Sequence, residues 1–235
     1  MTSKFIYLPL AEADQARGVA VVIDVLRAFT TAAFAFDHGA ARILPVSSVA
    51  EALALQQEMP GALVMGEVNG FKPEGFNLSN SPGALREWDL AGRVLIQRTS
   101  AGTQGLVRAL QADALYAASF VVARATAHQL IRNQADVISF VVTGISEGRD
   151  GEEDLACAEY IQALVEGDDP DPAPYLARVA SSTVGRDFSS GSLGYLLQED
   201  FQLSVLVNHF DFTMPVRRVE GRLVMTWEPV EHRNL

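Results

Sequence analysis

The sequence predicts an α/β fold in one compact domain, and two observations carry that expectation. Four stretches share one design, an apolar strand that runs out into a short loop dense in charge, hydroxyl and glycine: GVAVVIDVLRAFTT, ALVMGEVNGFKPEGFNLSNSP, RVLIQRTSAGTQG and DVISFVVTGISEGRDGEED. In open α/β sheets ligands sit in the crevice beyond the carboxyl ends of the strands, so the four loops are expected to wall one polar site. The second observation is the alternation of such strands with helical stretches. Its clearest strand, Val19 to Ile23, is an apolar run rich in β-branched residues that fits burial on both faces.

Asp24 ends that strand, and Ala28 to Asp37 reads as a helix stopped by Gly39. Arg42 to Val46 is the next strand, and Ser48 with Glu51 has the spacing of a capping box for a helix through Gln57. Ala62 to Met65 forms a third strand that delivers Gly66 and Glu67 into a long loop rich in glycine, proline and asparagine. Ser81 and Pro82 supply an N-cap and a first-turn proline for a short helix towards Trp88. Val94 to Gln97 repeats the pattern, ending in Arg98, Thr99, Ser100, Ala101 and Gly102 before an amphipathic helix to Leu110. Ala114 to Ala118 is a weaker strand followed by a helix from about Val121 to Asn133. Asp136 to Val142 is a strong strand with a polar loop and a long helix, Glu152 to Val165, behind it. The connection GDDPDPAP suits neither helix nor sheet. Two short helices are expected after it, and Val216 to Val219 with Leu223 to Trp227 flank Glu220-Gly221 as a terminal hairpin, about residues 215–228.

With 235 residues, 49% of them hydrophobic, the chain is long enough to bury a sizeable core as a single domain over 1–235. A formal charge of -11 argues against general affinity for nucleic acid or anionic membranes, which reward clustered Lys and Arg, while leaving room for a locally positive cleft that takes a small anion. The lone Cys157 allows no internal disulfide, and MTSKFIYLPLAEADQ turns polar too soon for a signal peptide or a membrane span. A soluble, cytoplasmic protein is expected, with a homo-oligomer left open.

The loops carry the candidate chemistry. Asp24 and Arg27 put a carboxylate and a guanidinium at one strand mouth, and Glu67 at the end of another strand is the natural second carboxylate. A Mg²⁺ site needs one or two carboxylates, with water and phosphate oxygens completing it. The plainer alternative is that Asp24 caps its helix and pairs with Arg27. Lys72, in a loop long enough to reach over a site, could neutralise an anion or simply be solvated. Asn77, Ser79, Asn80 and Ser81 read as turn and cap residues. The stretch Thr99, Ser100, Ala101, Gly102 and Thr103 could form an oxyanion cradle from small residues, hydroxyls and a following helix, with Arg98 adding charge, or an ordinary strand-to-helix turn. Glu147, Arg149, Glu153 and Asp154 offer further carboxylates and an anion contact, although acidic residues also simply favour a first helical turn. His38, His128, His209 and His232 have no metal-ligand spacing, and neither a P-loop lysine nor a G-x-S-x-G elbow is found.

Taken together, IDVLRAFTTAAFAFDHGAARILPV, GEVNGFKPEGFNLSNSP, QRTSAGTQGL and SEGRDGEEDLACA resemble the 2-phosphosulfolactate phosphatase family, in order and over most of the chain. The resemblance implies a three-layer α/β sandwich peculiar to that family, with a mixed, largely parallel central sheet. It implies a Mg²⁺-dependent phosphatase converting (2R)-2-phospho-3-sulfolactate to 3-sulfolactate and phosphate, a step towards coenzyme M. Carried over motif by motif, it points to Asp24, Arg27, Glu67 and Lys72 as catalytic residues. Arg98, the Thr99 to Thr103 loop and Arg149 would hold the small phosphorylated anion, and Asp24, Glu67 and Asp154 the metal. Many family members have arginine after the glutamate where this chain has Val68 and Asn69, and T-T-N-G-T where it has Thr99-Ser100-Ala101-Gly102-Thr103. The missing arginine removes a bidentate anion contact. A different phosphorylated hydroxy acid, or a catalytically silent anion-binding role, are the alternatives.

Overall fold

A computed structural model describes residues 3–145, 149–190 and 197–230. It is a three-layer α/β sandwich: one large mixed sheet, mostly parallel, with helices on its faces. The sheet consists of two parallel halves. In the first, β1 (Lys4–Pro9), β8 (Val137–Val142), β2 (Val19–Ile23) and β7 (Ala114–Ala118) lie side by side. In the second, β3 (Arg42–Pro45), β6 (Val94–Arg98), β4 (Leu63–Gly66) and the short β5 (Leu78–Ser79) do the same. Between them stands the hairpin of β9 (Phe212–Val219) and β10 (Arg222–Met225), antiparallel to β7 on one side and to β3 on the other. β11 (Glu228–Pro229) adds to β9. The segment expected to form a terminal hairpin is therefore the centre of the sheet. Its strands have the right pattern, but pattern does not reveal which edges they join.

The halves run in opposite senses at the hairpin, yet their carboxyl ends meet. At the ordinary twist of roughly 20–25° per strand, the path from β2 through β7, β9, β10 and β3 to β6 turns strand direction by more than ~100°. The contacts agree: the Gln97 amide at the end of β6 donates to the Ala28 carbonyl just past β2, at 3.0 Å.

Local chemistry accounts for most elements. Every residue of β2 is buried because it pairs in parallel with both β7 and β8, as the β-branched run requires. Helix α1 (Ala28–Asp37) is apolar all round and buried from Ala28 to Phe36. Helix α2 (Val49–Glu58) is capped by the Ser48 hydroxyl, which accepts from the Glu51 N–H at 3.1 Å; the Glu51 carboxylate reaches back to the N–H of Ser47, at 2.9 Å, rather than to that of Ser48. The Ser81 and Pro82 start is realised as a 3₁₀ turn over Gly83–Glu87. Helices α3 (Gly102–Arg108), α4 (Ala123–Asn133) and α5 (Glu152–Glu166) fall where the periodicity puts them. Among the described residues three helices follow α5, where two are expected: α6 (Ala173–Ser181), α7 (Thr183–Ser190) and α8 (Gln198–Ser204). β1, for which the sequence pattern gives no strand, pairs along its whole length with β8. A large core surrounds β2, β7, β8, α1 and α5, and a smaller one under α2 joins Leu44, Leu55, Val64 and Ile96. Among the described residues no helix is long and apolar enough to cross a membrane.

Candidate active site

The carboxyl ends of β2, β4, β6 and β8 open on one hollow of about 340 Å³. Asp24, Arg27, Glu67, Ser100, Arg149, Glu153 and Asp154 all line it. The four strand-end loops do form four walls of one polar site, and the carboxylates from residues 24 and 67 share it.

Asp24, 7% exposed, stands where α1 and α3 begin. Its Oδ1 accepts the Ala28 N–H at 2.9 Å, and the Gly102 N–H bonds to the same carboxylate. Only glycine fits at 102, because a Cβ there would lie 2.8 Å from Asp24 Oδ2 and 2.8 Å from Ala28 Cβ. Burial pushes the carboxyl from 3.8 up to about 6, and the Glu67 charge adds to the rise; the two N–H groups and Arg149 oppose it. Asp24 thus does cap α1. The other half of that plainer alternative, a pairing with Arg27, is not formed: Arg27 Nη1 bonds Asp200 Oδ2 at 2.6 Å.

Glu67 is a clamp. Its Oε1 accepts the Ser100 N–H at 2.5 Å, and its Oε2 accepts the Gly70 N–H at 2.6 Å and the Ser100 hydroxyl at 3.0 Å. The loops after β4 and β6 are thereby locked together. Gly66 makes the approach feasible: at φ +140° a Cβ would come within 1.9 Å of the Arg98 carbonyl oxygen. Arg98 donates to the Glu67 carbonyl at 2.8 Å and braces this junction rather than lining the hollow. Thr99 and Thr103 are buried and satisfy one another: each main-chain N–H bonds the other's hydroxyl, at 2.8 and 3.0 Å. Of the expected cradle, Ser100 and Ala101 face the hollow, and Gly102 lies against Asp24.

Asp154 staples β2 to β8. Its Oδ1 accepts the Val25 N–H at 2.8 Å, and its Oδ2 accepts the Gly144 N–H at 2.8 Å with the Thr143 hydroxyl at 3.2 Å. Burial, then the charges of Glu153 and Asp24, hold its carboxyl well above the usual carboxylate range. Glu153, 2% exposed, is also raised, first by burial, and its Oε2 has no hydrogen-bond partner. Crowded carboxylates with an orphaned buried oxygen are the donor chemistry that a divalent cation suits. Among the described residues, however, no group of three or more His, Cys, Asp or Glu side chains is arranged to hold a metal ion by itself. The set of Asp24, Glu67 and Asp154 therefore shares a hollow without forming a ready coordination cage, because the oxygens of Glu67 and Asp154 already accept protein hydrogen bonds.

Lys72 is not brought to the hollow. It is exposed, and its ammonium reaches the Asn77 carbonyl at 3.4 Å. A loop that closes on itself keeps its lysine in solvent. Glu147 lies outside the described residues. Three contributors were missed by sequence reasoning. Asn80, read as a turn residue, lines the hollow, as does Phe188. Asp200 is fully buried behind Arg27 and carries no local motif, since its partners lie far away in the chain.

The family model described as 2-phosphosulpholactate phosphatase matches residues 7–206, a span that includes the whole lining of the hollow and Asp200. A protein of Bacillus subtilis named probable 2-phosphosulfolactate phosphatase is 33% identical over 210 residues, 89% of this chain and 90% of the relative. One of the same name from Thermoplasma acidophilum is 27% identical over 219 residues, 93% of this chain and 94% of the relative. Another, from Carboxydothermus hydrogenoformans, is 41% identical over 145 residues, 62% of this chain and 59% of the relative. By the extent of these matches and the loops they include, the chain belongs to the 2-phosphosulpholactate phosphatase family.

Proposed function

We propose that the hollow hydrolyses 2-phospho-3-sulfolactate to 3-sulfolactate and phosphate with the help of Mg²⁺. The family is one of phosphatases, that is, phosphoric monoester hydrolases, and its relatives are named for this substrate. The observation that carries the reading is the crowding of buried carboxylates at 24, 67, 153 and 154 around a hollow that also presents Arg27 and Arg149. A substrate bearing phosphate, carboxylate and sulfonate is repelled by such a wall unless a cation intervenes. Asp24 would hold that cation, with the neighbouring carboxylates contributing directly or through water. When bound, Mg²⁺ would neutralise the phosphoryl oxygens and draw charge from phosphorus.

The chain's own residues do the remaining work. Phosphomonoester hydrolysis is so slow in water that charge stabilisation and positioning must supply most of the acceleration. The Glu67 clamp fixes the Ser100–Ala101 segment at the hollow, and a fixed loop loses little entropy when the phosphoryl group arrives. Arg27 and Arg149 supply the positive side of the lining.

The test is phosphate release from 2-phospho-3-sulfolactate and from 2-phospholactate, with Mg²⁺ and with chelator. Turnover that needs the cation, prefers the sulfonate and vanishes in Asp24→Asn protein is expected. Equal turnover in chelator, or near wild-type turnover by the Asp24→Asn protein, would overturn the reading. Preference for phospholactate would mark another hydroxy acid as substrate. Binding of sulfolactate without any phosphate release would mark a silent anion-binding protein.

A further inference from the structure

We propose that Arg27 and Asn80 receive the sulfonate of the substrate and that Asp200, buried behind them, is the residue that positions both. The proposal deepens the phosphatase reading and rests on it for the identity of the ligand.

Asn80 follows Ser79, which pairs with Gly66 across β4 and β5, so it stands at the same rim as Glu67. Its side chain is 5% exposed and lines the hollow, yet Oδ1 has no hydrogen-bond partner. A buried amide with unspent hydrogen-bonding capacity is costly unless a ligand uses it. A half-turn about its last bond turns the NH₂ to where the oxygen lies, so the same amide can donate to an anion.

Arg27 is 5% exposed and also lines the hollow. One arm of its fork is committed to Asp200, and its guanidinium lies 5.7 Å from the centre of the Phe188 ring. The same Asp200 carboxylate takes the Ser81 hydroxyl at 2.7 Å and the Gly83 N–H at 3.0 Å through Oδ1. Ser81 is the neighbour of Asn80. One fully buried carboxylate thus ties the start of α1, from one half of the sheet, to the turn after β5, from the other. Neither Arg27 nor the Asn80 turn can shift without breaking a charge-assisted bond to Asp200.

The chemistry assigns the sulfonate to this corner. A carboxylate is a hard ligand and can share a Mg²⁺ ion with the adjacent phosphoryl group. A sulfonate spreads its charge over three oxygens and is a poor metal ligand, so it needs N–H donors. A guanidinium half-neutralised by Asp200, an amide and an aromatic face suit that diffuse anion.

The experiment compares kcat/KM for 2-phospho-3-sulfolactate and 2-phospholactate in wild-type, Asn80→Ala and Asp200→Asn proteins, with calorimetric binding of 3-sulfolactate and lactate and a melting curve for each. The preference for the sulfonate substrate should fall by roughly tenfold or more in both variants, mainly through KM, as expected for loss of a hydrogen bond to a charged group. Equal losses on the two substrates, or an unchanged preference with only a lower Tm, would overturn the proposal. Should Asp200→Asn fail to fold, Ser81→Ala removes one of its donors, and a smaller fall in the same ratio is the expected result. If wild-type protein hydrolyses neither compound, the phosphatase reading fails on its own. The binding data then decide: weaker 3-sulfolactate binding in Asn80→Ala sustains the sulfonate corner, and undiminished or absent binding refutes it.

Discussion

Replacing Asp24 by asparagine should stabilise the metal-free protein at neutral pH while abolishing its chemistry. The carboxyl is 7% exposed and is pushed from 3.8 to about 6, first by burial and then by the charge of Glu67. A group whose folded-state value is raised holds its proton more tightly when folded. Its contribution to stability is complete below the unfolded value and is lost as pH rises through the folded one, here between 3.8 and about 6. At about 1.4 kcal/mol per unit, the ionised carboxylate costs the fold on the order of 3 kcal/mol near neutrality. Asparagine removes that cost but offers one acceptor oxygen in place of two, so one of the Ala28 and Gly102 N–H bonds is weakened, at about 1 kcal/mol. A net gain of about 2 kcal/mol corresponds to a Tm higher by roughly 4–8 °C for a chain of this size. Melting curves of both proteins in chelator, from about pH 5 to pH 8, give the assay. The gap in Tm should open as pH rises. A variant less stable than wild type at the alkaline end, or a gap that closes with rising pH, would refute the reasoning about Asp24.

Two further substitutions test the approaches that build the site. Gly102→Ala drives a methyl into Asp24 and Ala28, and a displacement of that carboxylate by about 1 Å should cost on the order of 10²-fold in phosphate release. Its Tm should also fall, by a few degrees, because overpacking against Ala28 Cβ at about 1–3 kcal/mol outweighs the helix propensity, at most about 1 kcal/mol, that alanine regains at the start of α3. Gly66→Ala brings a Cβ within 1.9 Å of the Arg98 carbonyl at a φ of +140°, so β4 must part from β6. A loss above ~3 kcal/mol is expected, read as insoluble protein or a Tm lower by ~10 °C or more.

What could be read from the sequence follows from the range of the forces involved. Val19 to Ile23, the Ser48 cap and the apolar α1 are set by neighbours a few residues away, and their boundaries were legible. So was the meeting of Asp24 with Glu67, because strand ends of an α/β sheet converge by rule. The tie between Arg27 and Asp200 spans 173 positions, and only the folded chain brings it together. Thr99 and Thr103 have the right chemistry for a cradle, but hydroxyls four residues apart can satisfy each other, and here they do. Lys72 shows the same limit: a charge in a long loop has no address until the loop has a shape. The hairpin over 212–225 is legible as a hairpin, but its place in the sheet is not, since periodicity records which face of a strand is buried and says nothing about its neighbours.

That placement has a consequence for how the protein comes into being. Both half-sheets can assemble from residues made early, but each then carries a naked inner edge of unpaired N–H and C=O groups, at β7 and at β3. The strands that close these edges are translated after every strand of both halves, past residue 211. A nascent chain on the ribosome therefore holds two sticky templates until Met225 finds Ile43. The long-range closure makes for slow folding and leaves the unfinished chain open to aggregation or to capture by chaperones.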